Sequence, residues 1–99
     1  MRTSINKDEV VAKLRQIFPS LCLRYPLRKM ALFGSVVRGD ATGQSDVDIL
    51  VEVDPTIGLR MVDLAEELES HLHRKVDLVS SRAIRPHMME SVLEDIQYV

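Results

Sequence analysis

The segment Val47 to Val53 constrains this chain more than any other. Val47, Ile49, Val51 and Val53 alternate with Asp48, Leu50 and Glu52, the period-two pattern of a strand whose two faces differ. Asp is depleted in strands because its short charged side chain competes with the ladder for hydrogen bonds. Yet Asp46 and Asp48 open this strand, whose other residues are mostly apolar. Two residues apart, their carboxylates leave from one face, about 7 Å apart along the chain. Asp54-Pro55 ends the strand.

The flanking segments supply the other layers. Asn6-Lys-Asp-Glu9 has capping-box spacing, and Val10, Val11, Leu14, Ile17 and Phe18 then form a stripe at helical spacing. Pro19 interrupts that pattern and Pro26 marks a second break. Arg28 to Phe33 reads as a strand running into Gly34, and Gly34-Ser35 opens a short helix. From Gly58 to His73, Met61, Leu64, Ala65, Leu68 and Leu72 give a second amphipathic helix. Val76 to Val79 reads as a third strand. Pro86 suits the first position of a helix carrying Met88, Met89, Val92 and Leu93, and Ile96 to Val99 finishes as a short strand. The expected fold class is α/β (α+β), a small mixed β-sheet with helices packed mainly on one face. At 99 residues, with no repeat or linker, one domain over 1–99 is expected.

Composition excludes several classes. No apolar run reaches the length of a spanning helix, and Met1 to Glu9 lacks the apolar core of a signal peptide. Cys22 is the single cysteine, so neither an internal disulfide nor a Cys-rich zinc site is possible. A reduced, cytoplasmic protein without membrane association is the expectation. Residues 1–45 carry eight Lys/Arg against three Asp/Glu, and residues 46–99 carry five against twelve. A basic half fits phosphate contact or simply a solvated face. The only aromatics are Phe18, Tyr25, Phe33 and Tyr98, too few for a stacking groove, so direct nucleic-acid binding is not expected.

The chemistry concentrates between Gly34 and Val51, with Asp77 joining from the third strand. If the second and third strands are neighbours, Asp46, Asp48 and Asp77 converge. Three carboxylates repel one another unless a cation neutralises them, and hard divalent ions such as Mg2+ favour such oxygen ligands. That arrangement suits metal-assisted phosphoryl or nucleotidyl transfer. Gly34 allows close backbone approach, and Ser35 adds a hydroxyl where backbone N–H groups meet an anion. Arg38 either reaches a phosphate or locks the loop by pairing with Asp40 or Asp46. His71 and His73, two apart on a helix, point in different directions and suit a solvated helix end. His87, Met88 and Met89 read as surface or core residues, and Cys22 as a small buried hydrophobe. Ser80 and Ser81 suit a turn.

The pattern Gly34-Ser35-x-x-Arg38-Gly39, five residues, Ser45-Asp46-x-Asp48 resembles the signature of the DNA polymerase beta nucleotidyltransferase superfamily. Lys75-Val-Asp77-Leu-Val is similar to its third-carboxylate strand. The short one-domain layout resembles the minimal nucleotidyltransferase branch, which includes MntA-type antitoxins paired with HEPN-domain toxins. This resemblance implies the nucleotidyltransferase fold, with Gly34, Ser35, Arg38 and Ser45 at the nucleotide. Asp46 and Asp48 would hold two Mg2+ ions, and Asp77 would share the catalytic ion and help deprotonate the acceptor hydroxyl. It further implies transfer of AMP from ATP to a tyrosine of a HEPN ribonuclease toxin, acting as its antitoxin. The same residues leave two other uses open: neutralising a partner by complex formation without catalysis, or transfer to a small molecule such as an aminoglycoside.

Overall fold

Asn6 starts the first helix. Its Oδ1 accepts from the N–H groups of Asp8 (2.8 Å) and Glu9 (3.3 Å), satisfying donors that a helix cannot satisfy internally. In this computed structural model, which describes residues 6–41, 46–84, 90 and 92–99, the helix α1 spans Lys7–Arg24. It buries Val10, Val11, Leu14, Ile17 and Leu21. Pro19 does not end it, contrary to the reading of the sequence. Pro19 lies on the exposed side, and Leu21 resumes the buried stripe. Cys22, expected inside, is exposed. It follows the wholly buried Leu21 by one residue, so the helix turns it outward by about 100°.

The strands are β1 (Leu27–Phe33), β2 (Val47–Val53), β3 (Val76–Ser80) and β4 (Gln97–Tyr98). They form a sheet of order β3-β2-β1-β4. β1 runs antiparallel to β2 and β4, and β2 runs parallel to β3. The parallel pair needs a crossover. A 3-10 turn (Pro55–Ile57) and the helix α3 (Arg60–Leu72) supply it. The four-residue helix α2 (Ser35–Arg38) follows β1. A second 3-10 turn, Ser81–Ala83, follows β3 with the Ser80 hydroxyl accepting from Arg82 N–H.

Alternation along the strands divides the core in two. On one face Met30, Leu32, Val47, Ile49, Val51 and Val76 pack with α1 and with Leu64 and Leu68 of α3. On the other, Ala31, Leu50 and Val92 form a smaller cluster bordered by Phe33, Val79, Ile84 and Ile96. The two longer helices thus share one face, as expected. Residues 92–94 are helical and bring Val92 onto the second face. α1 and α3 are also joined by an Arg24–Glu67 ion pair and by Arg60 donating to the Arg24 carbonyl. No helix among the described residues is long and apolar enough to cross a membrane.

Candidate active site

Strand register creates the site. Phe33 of β1 lies opposite Asp48 of β2, and Asp48 lies beside Asp77 of β3. Register partners share a face, and neighbouring strands stand about 4.8 Å apart. The Asp48 and Asp77 carboxylates therefore leave the backbone side by side on the second face. The next row inward on that face, Ala31–Leu50–Val79, belongs to the cluster under Val92. The Phe33–Asp48–Asp77 row is more open, with Asp48 half-buried and Asp77 exposed.

Asp46 sits just before β2 and is exposed. Its charge and that of Asp77 are felt at Asp48, whose carboxyl is pushed above its ordinary value. Burial is the largest cause, Asp77 and then Asp46 add repulsion, and Arg38 opposes them. The three acids that the sequence singled out are thus electrostatically in contact. Among the described residues, however, no three His, Cys, Asp or Glu side chains already stand as a cage for a metal ion. The donor set is all oxygen and mutually repelling, which fits a hard divalent cation.

Gly34 forms the wall beside Asp48. Its backbone has φ +78, and a Cβ placed there would lie 2.2 Å from Asp48 Oδ2. Only a glycine lets the carboxylate lie against the chain at this point. Ser35, half-buried, begins α2, and its carbonyl accepts from Gly39 (3.0 Å) and Asp40 (3.1 Å). The wholly buried Val36 anchors this short turn to the core.

Arg38 locks the loop. Its Nε donates to Asp40 Oδ2 at 3.2 Å, and its Nη1 donates to Asp95 Oδ2 at 3.4 Å. Hydrogen bonds to Asp40 and then Asp95 hold its proton more firmly than usual. Of the alternatives offered by the sequence, Asp40 or Asp46, Arg38 pairs with Asp40, and it pairs also with Asp95. Asp95 lies 57 residues away on a segment whose motif spacing carries no signal, so sequence reasoning missed it. Phe33, Gly34, Arg38, Val92 and Asp95 line a cavity of about 180 Å³ beside the carboxylate row. A larger cavity of about 380 Å³, bordered by Cys22, Tyr25, Pro26, Arg28 and Asp54, lies at the far end of β1. It holds a single carboxylate.

The remaining residues weighed from the sequence lie outside the described residues or, as with the two histidines read as a solvated helix end, away from this centre. Ser45, His87, Met88 and Met89 lie outside the described residues. His71 and His73 are exposed at the end of α3, where His73 adopts the left-handed cap conformation.

Comparisons with known proteins identify the family. The family model described as a nucleotidyltransferase domain matches residues 14–99. The protein adenylyltransferase MntA of Thermococcus cleftensis is 40% identical over 78 residues, covering 77% of this chain and 78% of that protein. The solved structure of a candidate minimal nucleotidyltransferase superposes with TM-score 0.76 at 33% identity, covering 94% of this chain and 95% of the other. A toxin–antitoxin structure with AMP-PNP gives TM-score 0.67 at 28% identity, over 95% of this chain and 72% of that chain. A structure of a tri-AMPylated HEPN toxin of Shewanella oneidensis in complex with an MNT antitoxin gives 0.58 at 26% identity, over 94% and 67%. With the family match running from α1 to the last residue, and the acids, glycine and arginine of the motif gathered at one sheet end, this chain belongs to the nucleotidyltransferase domain family.

Proposed function

We propose that this nucleotidyltransferase is a Mg2+-dependent protein adenylyltransferase. It moves AMP from ATP to a hydroxyl of a partner protein, a tyrosine of a HEPN-domain ribonuclease toxin, and so acts as an antitoxin in the cytoplasm. The observation that carries this reading is the in-register pair Asp48–Asp77, with the Asp48 carboxylate laid against Gly34. The AMP-PNP complex and the AMPylated toxin among the structural relatives support the donor, the transferred group and the class of acceptor.

Each residue then has a role. Asp46, Asp48 and Asp77 would hold two Mg2+ ions, whose charge would offset that of the phosphates and of these acids. Gly34 and Ser35 lie against the nucleotide phosphates, with Arg38 and Ser45 beside them. Asp77, the exposed acid of the pair, takes the proton from the acceptor hydroxyl. The acceptor oxygen forms a bond to the α-phosphorus while the bond to pyrophosphate breaks on the opposite side. Closely spaced donors on a rigid sheet fix this geometry before the acceptor arrives.

The test is incubation with α-labelled ATP, Mg2+ and the HEPN partner. Label should pass to the partner and its ribonuclease activity should fall. The double variant Asp46→Ala, Asp48→Ala should transfer none. If that variant still silences the partner by binding, capture without catalysis replaces this reading.

A further inference from the structure

The ion pair between Arg38 and Asp95 joins two parts of the chain that the motif does not connect. Arg38 closes α2, the short helix that Gly34 and Ser35 open, and its backbone N–H donates to the Gly34 carbonyl at 3.1 Å. Asp95 belongs to the segment that covers the second face. Its backbone N–H donates to the Val92 carbonyl at 3.2 Å, and Val92 is buried against Ala31 and Leu50. The Asp95 carboxylate is thus tied to a fixed support, whereas Asp40 is an exposed neighbour of Arg38 on the same loop. Two of the guanidinium's five N–H groups are engaged, one at Nε and one at Nη1. Arg38 and Asp95 form two sides of the 180 Å³ cavity whose other lining includes Gly34, the residue in contact with Asp48.

We propose that Asp95 is a positioning residue for the nucleotide: it aims Arg38 so that the guanidinium faces the bound nucleotide beside Gly34. The proposal rests on the nucleotidyl-transfer reading above. It assigns a function to the second-face segment, which otherwise only closes the smaller hydrophobic cluster. A planar guanidinium held by two carboxylates keeps one orientation, whereas one held by Asp40 alone turns about a single contact. Asp95 itself touches neither the phosphates nor the acceptor and acts only through Arg38.

The test is a double-mutant cycle on the full chain, read as AMP-PNP affinity by calorimetry with Mg2+ present. Asp95→Asn should weaken binding about threefold, the size an exposed ion pair carries, and Asp95→Glu should recover most of it. In an Arg38→Ala background, Asp95→Asn should cause no further loss. Thermal melts run alongside separate this from a purely structural role, which would lower Tm and weaken binding equally in both backgrounds. Wild-type affinity in Asp95→Asn, or a loss that persists without Arg38, overturns the positioning role and leaves nucleotidyl transfer standing. A wild-type chain that takes up no AMP-PNP removes both.

Discussion

Gly34 and Asp48 are packed so closely that a single added methyl group would fall 2.2 Å from Asp48 Oδ2. Gly34→Ala therefore carries two costs at once: displacement of the carboxylate and a left-handed backbone that alanine resists. The backbone strain alone is worth about 1–3 kcal/mol. Urea melts should show that loss. Transfer should fall about a hundredfold, the consequence of moving a reacting group by an ångström. Activity within a few-fold of wild type would mean that Asp48 works in a different position.

Asp48→Asn should stabilise the metal-free chain while abolishing transfer. Burial first, then Asp77 and Asp46, raise the Asp48 carboxyl above its ordinary value, so the folded chain holds this proton more tightly than the unfolded one. The stability it contributes is complete below the unfolded pKa, about 3.9, and is lost as pH rises through the raised folded value. Asparagine removes that loss. Thermal melts in chelator should place the variant above wild type at neutral pH, with the gap closing toward about pH 3. A gap of constant size would sever the link to this ionisation.

Magnesium should reverse that order. A ligand that binds only the folded chain stabilises it by mass action, so added Mg2+ should raise the wild-type Tm more than that of Asp48→Asn. Chelation should stop transfer and excess Mg2+ should restore it. Equal shifts in both proteins would argue against these acids as the ion's ligands.

Leu14→Ala should destabilise without altering the chemistry. Leu14 is wholly buried between α1 and the sheet, and truncation of such a side chain costs about 2–5 kcal/mol. At a temperature where the variant remains folded, its AMP-PNP affinity should match wild type. Weakened binding there would couple the α1 layer to the site on the opposite face.

Much of this molecule was legible in the sequence because two periodicities are clean. The alternation from Val47 to Val53 sorted both faces of β2 correctly, and the Leu64–Leu68 stripe located α3. The condition left open by the sequence, that the second and third strands be neighbours, is met, and Asp77 stands beside Asp48. Local signals failed where the deciding partner was distant or the solvent intervened. Pro19 read as an interruption of the helical stripe, yet the helix runs through it with the proline on its exposed side. Cys22 looked like a core residue by type, but its phase on α1 follows Leu21 outward. Asp95 carried no pattern, since its importance arises only when the second-face segment folds back over β1 and β2.

The distance between Asp48 and Asp77 is set by the parallel ladder beneath them, not by any side chain above it. Val47 and Val76 are register partners buried among the helices, and Val47 N–H donates to the Lys75 carbonyl at 2.9 Å. A slip of one residue in β3 would turn Asp77 toward those helices and send an aliphatic side chain to the site. Two valines on the far side of the sheet therefore act as the gauge block for the chemistry. Substitutions that loosen their seating should misalign the acids before they unfold the protein, and loss of catalysis would then be the first symptom of a fault in the core.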